Sequence, residues 1–195
     1  MSFDEDDLER VSLNGSIVAR ARFDYYHAPD GSRANPTIYR FADDWLAAQG
    51  KRYLANYALV RLEGNPGTDL VPGEGVPRGW LPLASRPVTP GQGIFMLHHG
   101  LGKPQMLEYA TVVSIGKEKV GLRSLLNMDM PGAAGAPCCN EDWQVVAVRF
   151  ELAPGIPTFF SKRAGTFIVI WARDLLADAR FVDALNRHLP GQVEA

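Results

Sequence analysis

Short apolar runs of strand length, set apart by glycine and proline, limit what this chain can fold into more than any other feature. Ile17, Ala19, Ala21, Phe23 and Tyr25 alternate with Val18, Arg20, Arg22 and Asp24. That period of two sends one set to a buried face and the other to solvent, the signature of a half-buried strand. The turn Ala28-Pro29-Asp30-Gly31 ends the run, and Pro36 to Phe41 reads as the return strand. Tyr57 to Leu62 reads as a more buried strand. Further candidates are Gly93 to Leu97, Met106 to Ile115, Gly121 to Leu126 and Gln144 to Phe150. The 19 glycines and 14 prolines fall largely between these runs, which is the punctuation of an all-β chain. Gly64 to Pro77 reads as the connection between two halves. Asp43-Asp44 ahead of Trp45 reads as the cap of a short helical turn.

The C-terminus changes character. Leu175, Ala179, Val182, Leu185 and Leu189 recur at helical spacing with polar residues between them, and Pro190-Gly191 stops the pattern. Phe167 to Trp171 fits a strand or the start of that helix, and periodicity does not choose. The chain divides at the connection: residues 1–77 form a first unit, and 78–195 a second that ends in the amphipathic helix.

Charge and cysteine content narrow the function classes. A net charge of -2 over 195 residues gives no whole-protein basis for binding nucleic acid or an anionic membrane surface. No apolar run approaches the ~18 residues of a spanning helix. Asp4 to Asp7 make an acidic start without the basic-then-apolar order of a secretory signal. Cys138 and Cys139 are adjacent and cannot staple distant segments, so a reducing, cytoplasmic setting is expected. Gly73-Glu74-Gly75 and Gly91-Gln92-Gly93 lack the strand-to-helix context and the Lys-Ser/Thr of a phosphate loop. No cofactor and no metal is expected.

Pro131-Gly132-Ala133-Ala134-Gly135-Ala136-Pro137 resembles the Gly-x-Ser-Gly-x-Pro loop of the chymotrypsin/trypsin superfamily. Other segments agree in order. Pro90 to Gly100 resembles the opening of the second barrel in bacterial trypsin-like domains, and Asn140 to Val148 resembles the hairpin after the nucleophile loop. Tyr57 to Leu62 stands where the family places its "Asp-x-Ala-Leu-x-Arg-Leu" strand. The match runs from about Arg20 to Leu152 and is nearest to the trypsin-like modules of bacterial effector-type proteins. The resemblance implies an all-β fold with a C-terminal helix: a trypsin-like double β-barrel whose first barrel is incomplete.

The same resemblance assigns positions and exposes losses. The nucleophile position is Ala134, which carries no hydroxyl. The oxyanion hole falls to the backbone N–H groups of Gly132 and Ala134. The triad acid position is Asn56, which can accept a bond from an imidazole but does not stabilise its charged form. The histidine segment that the family places upstream is missing, since the residues before Ala21 contain no histidine. His27 reads as a surface-loop residue, His98 and His99 as turn residues, and His188 as a charge near the end of the last helix. Of the cysteines, one is expected to point inward and one outward, as small hydrophobes and not as nucleophiles.

A pseudoprotease is therefore expected: a peptidase-fold protein acting as a peptide- or protein-binding or regulatory partner. An unpaired edge on the incomplete first barrel would invite a partner strand or a second copy. The alternative is a serine endopeptidase captured as a Ser-to-Ala variant at position 134, its histidine base supplied elsewhere. A truncated gene product is the third reading.

Overall fold

Alternation along the first strand sets the frame. In β1 (Arg20–Phe23), Ala21 is buried while Arg20 and Arg22 face solvent, as period two requires. The computed structural model describes residues 20–52, 55–84, 86–115, 120–124, 132–149 and 166–171, together with 179, 182 and 183. A turn closed by Gly31 N–H donating to Ala28 C=O at 2.8 Å follows β1. The glycine takes φ 81°, which only a residue without Cβ adopts cheaply.

The return strand is longer than the sequence pattern indicates. β2 (Thr37–Arg52) pairs antiparallel with β1 and with β3 (Ala55–Leu62), giving an open sheet in the order β1-β2-β3. Asp43 and Asp44 do not cap a helical turn. They lie inside β2 where its register with β3 slips between Phe41 and Leu46 and again before Ala48. The extra residues are absorbed as bulges, and the Asp44 carboxylate pairs with Arg61 of β3. Long-range strand pairing has overridden the local capping preference.

The second half closes on itself. β4 (Gly93–His98), β5 (Met106–Ile115), β6 (Val120–Ser124), β7 (Pro137–Cys139), β8 (Val145–Arg149) and β9 (Thr166–Trp171) form a closed barrel in the order β4-β5-β6-β9-β8-β7, every pair antiparallel. Closure leaves no edge to protect. Thr166–Trp171 is a strand and not the start of a helix. Of the C-terminal pattern, Ala179, Val182 and Asp183 are helical, and the rest lies outside the described residues. Among the described residues, no helix is long and apolar enough to cross a membrane.

The barrel interior is built from inward rows. Ile94, Met96, Ala110, Val112, Leu122, Cys138, Val146 and Ala147 pack with Ala84 and Val88 into one apolar cluster. Both cysteines are fully buried: Cys138 pairs with the inward Met96 and joins the core cluster, while Cys139 pairs with Phe95 on the outer face of β4. The register with β8 shifts between Cys138 and Cys139, where Val146 is the extra residue of β8. Outside, Cys139 lies opposite Phe95 of β4, whose ring is stacked on Trp143 at 5.5 Å.

Candidate functional site

The loop from Gly132 to Ala136 leads into β7. Gly132 and Gly135 have φ of 82° and 84°, the left-handed region that a Cβ makes costly. They let the chain reverse in a very short span. The Gly135 N–H donates to the Arg149 carbonyl at 2.8 Å, the Arg149 N–H to the Ala136 carbonyl at 2.9 Å, and the Ala136 N–H to the Ala133 carbonyl at 3.2 Å. Ala133 and Ala136 are buried, whereas Ala134 faces solvent. The loop is thus pinned to β8 and presents the Ala134 methyl group outward.

Gly132 and Ala134, the two residues expected to frame an oxyanion hole, therefore share one tight turn. Asn56 lies elsewhere, on β3 of the open sheet in register with Lys51 of β2. His27 is exposed in the turn after β1, with its Nδ1 3.3 Å from the Gly31 carbonyl oxygen. Among the described residues, no group of His, Cys, Asp and Glu is placed to hold a metal ion.

His99 forms part of the seam between the two halves. Its ring stacks on Tyr25 at 5.8 Å, and the Gln105 N–H donates to the Tyr25 carbonyl at 2.7 Å. Arg22 and Arg33 also lie against the Tyr25 ring, at 5.0 and 5.6 Å, within cation–π range. The turn that begins at His99 sits directly beside the loop. A Cβ added to Gly132 would lie 3.6 Å from Leu101 N and 4.0 Å from the His99 carbonyl oxygen.

Sequence reasoning missed a polar cluster at this end of the barrel. His98 is not a turn residue. It closes β4 and is 1% exposed, as is Glu108 on β5, with Ser124 on β6 and Arg149 on β8 at 2%. Ser124 Oγ donates to Glu108 Oε1. His98 Nε2 stands 3.4 Å and Arg149 Nη1 3.9 Å from Glu108 Oε2. Burial pushes the Glu108 carboxyl up. The Ser124 hydrogen bond, the approach of His98 and the Arg149 charge outweigh it, and hold the group below its ordinary value. A readable signal existed: Glu108 is in phase with Ala110 and Val112, while Leu107 and Tyr109 are out of phase and exposed.

The cysteines are far from nucleophiles. Desolvation drives the Cys138 thiol well above its ordinary range and pushes Cys139 up to about 11, so neither is a thiolate at neutral pH.

Comparison with solved structures gives the fold independent support. The inactive form of a serine-to-alanine mutant of Rv3671c from M. tuberculosis matches with a TM-score of 0.50 and 17% identity, over 88% of this chain and 78% of that one. Deg5 matches with a TM-score of 0.53 and 13% identity, over 86% of this chain and 69% of that one. At such identities the likeness concerns the fold alone. Comparison with curated protein sequences gave no match. The model of the trypsin-like peptidase domain matches residues 5–148, well over half of the 195-residue chain. The chain belongs to the trypsin-like peptidase domain family.

Proposed function

We propose that this protein is a pseudoprotease, a member of a peptidase family that binds a peptide or protein segment without cutting it. The observation that carries this is Ala134 at the exposed apex of a pinned glycine loop. The left-handed glycines fit the loop that the resemblance expects, and Ala134 carries no hydroxyl. Without an attacking hydroxyl, an oxyanion hole and substrate binding sustain only a slow background reaction. Asn56 at the expected acid position points the same way, since it cannot support a charged imidazole.

Two features favour a macromolecular partner. Among the described residues, β1 and β3 are the outer strands of the first sheet, and an outer strand is a template for strand addition from another chain or a second copy. On the barrel exterior, Phe95, Tyr109 and Trp143 form an aromatic face beside Leu107, which is 54% exposed, and such faces mark interaction surfaces. We read the setting as cytoplasmic from the two free, buried thiols.

A second reading is a serine endopeptidase carrying alanine in place of its serine, with the base supplied elsewhere. The left-handed glycines on either side of Ala134 favour it, because they suit a working loop as well as a vestigial one.

Incubation with a peptide mixture digested from a whole proteome, followed by mass spectrometry of retained and released species, tests the binding reading. Retention of intact peptides with no new termini is expected. New termini, or no retention at any concentration, would contradict it.

A further inference from the structure

The strand directions place the loop and the polar cluster at one end of the barrel. β4, β6 and β8 run toward this end, and β5 and β7 run away from it. Their inward rows change from apolar to polar along the same direction: Ile94 and Met96 give way to His98, Leu122 to Ser124, Ala147 to Arg149, and on β5 Val112 and Ala110 to Glu108. Four polar side chains at 1–2% exposure are costly, and well-packed apolar residues would stabilise a barrel core as well or better. Their placement under the loop calls for another role.

Glu108 joins the two backbone segments between which the loop is held. On one side, Arg149 puts Nη1 3.9 Å from Glu108 Oε2, while its main chain exchanges bonds of 2.8 and 2.9 Å with Gly135 and Ala136. On the other, His98 Nδ1 accepts the Gly100 N–H at 3.1 Å. That bond leaves the proton of a neutral ring on Nε2, which faces Glu108 Oε2 at 3.4 Å. The turn so fixed is the one against Gly132. Ser124 holds the other carboxylate oxygen.

We infer that Glu108 is the positioning residue of the 132–136 loop, a carboxylate latch that holds the Arg149 strand and the His99–Gly102 turn in register from inside the barrel. The inference takes the loop to be the working surface of the protein, and so deepens the binding reading. Glu108 touches no ligand. It acts through Arg149 and His98.

Hydrogen exchange followed by mass spectrometry on the full chain tests this without any ligand, so it can fail while the binding reading stands, and the reverse. Glu108→Gln keeps the shape and removes the charge. The amides of Gly135, Ala136 and Gly100 are expected to exchange several-fold faster, as the buried contacts of 3.4 and 3.9 Å to Glu108 weaken. The β4–β5 amides near Ile94 and Val112 should keep their rates. Faster exchange spread evenly over the barrel, or none at the three amides, would overturn the latch. Ser124→Ala and His98→Gln keep the test open if the first variant does not fold. Ser124→Ala should give the same pattern more weakly. His98→Gln should loosen Gly100 and leave Gly135 unchanged, and a uniform response to either would equally overturn it.

Discussion

Arg78 clasps Asp24 at two points, with Nη2 2.6 Å from Oδ2 and Nε 2.9 Å from Oδ1, across 54 positions of sequence. Both side chains are less than a tenth exposed. Arg78 also reaches Thr37 at 3.0 Å and Tyr39 at 3.0 Å, so one guanidinium ties the connecting segment to β1 and β2. Arg78→Ala leaves the buried Asp24 uncompensated and should cost about 3 kcal/mol. For a chain of this size that is roughly a 10 °C fall in Tm. Arg78→Lys should recover little, because a point charge cannot make the two-point contact. Thermal unfolding followed by circular dichroism checks both.

Acid should destabilise the protein in a defined window. The Arg78 hydrogen bond holds Asp24 below its ordinary value against an opposing push from burial, and Glu108 is held low as well. For a group depressed in the folded state, the unfolded chain takes up the proton first as pH falls. The stabilisation is therefore complete above the unfolded value, about 4 for these carboxyls, and is lost as pH drops through the folded values. Urea unfolding at pH 7, 5, 4 and 3 should show little change between the first two and a steep loss below 4. Asp24→Asn should flatten part of that loss.

Glycine is required at position 132 by backbone shape and not by crowding. Gly132 and Gly135 sit at φ of 82° and 84°, yet a Cβ on Gly132 would meet its neighbours only at 3.6 Å or beyond. Gly132→Ala and Gly135→Ala should each cost about 1–2 kcal/mol from the left-handed conformation. Denaturation midpoints read the loss, and no change in either variant would mean that the loop is not held in this shape.

Buried thiols should be silent in the native protein. Cys138 and Cys139 are fully buried with their ionisation pushed up by desolvation. A thiol-reactive chromogen at pH 8 should react negligibly with the folded chain and with both cysteines after unfolding in guanidinium. Fast reaction of either thiol in the native state would contradict their placement.

Much of the strand pattern was legible because alternation and turn residues are local. Met106–Ile115 stands where periodicity puts it, and Ala21 lies inward between outward arginines. What failed was non-local. Asp43-Asp44 looks like a cap until the pairing of β2 with β3 is known, and the full burial of the outward Cys139 follows only once β4 sets Phe95 beside it. Phe167 to Trp171 could not be assigned because its partners, β6 and β8, lie far off in sequence. The loop at Gly132–Ala136 was readable from its glycines. The cluster beneath it was not, because four polar residues on four strands converge only once the barrel closes.

Restoring a hydroxyl at position 134 tests the central claim most directly. Ala134→Ser would be purified as the full chain and exposed to a fluorophosphonate probe, with the unaltered chain as control. On the proposed reading, Ala134→Ser is expected to show no labelling above that control, since a serine without a base and a carboxylate beside it is not activated. Stoichiometric labelling of Ala134→Ser would contradict the account and establish an enzyme missing only its nucleophile.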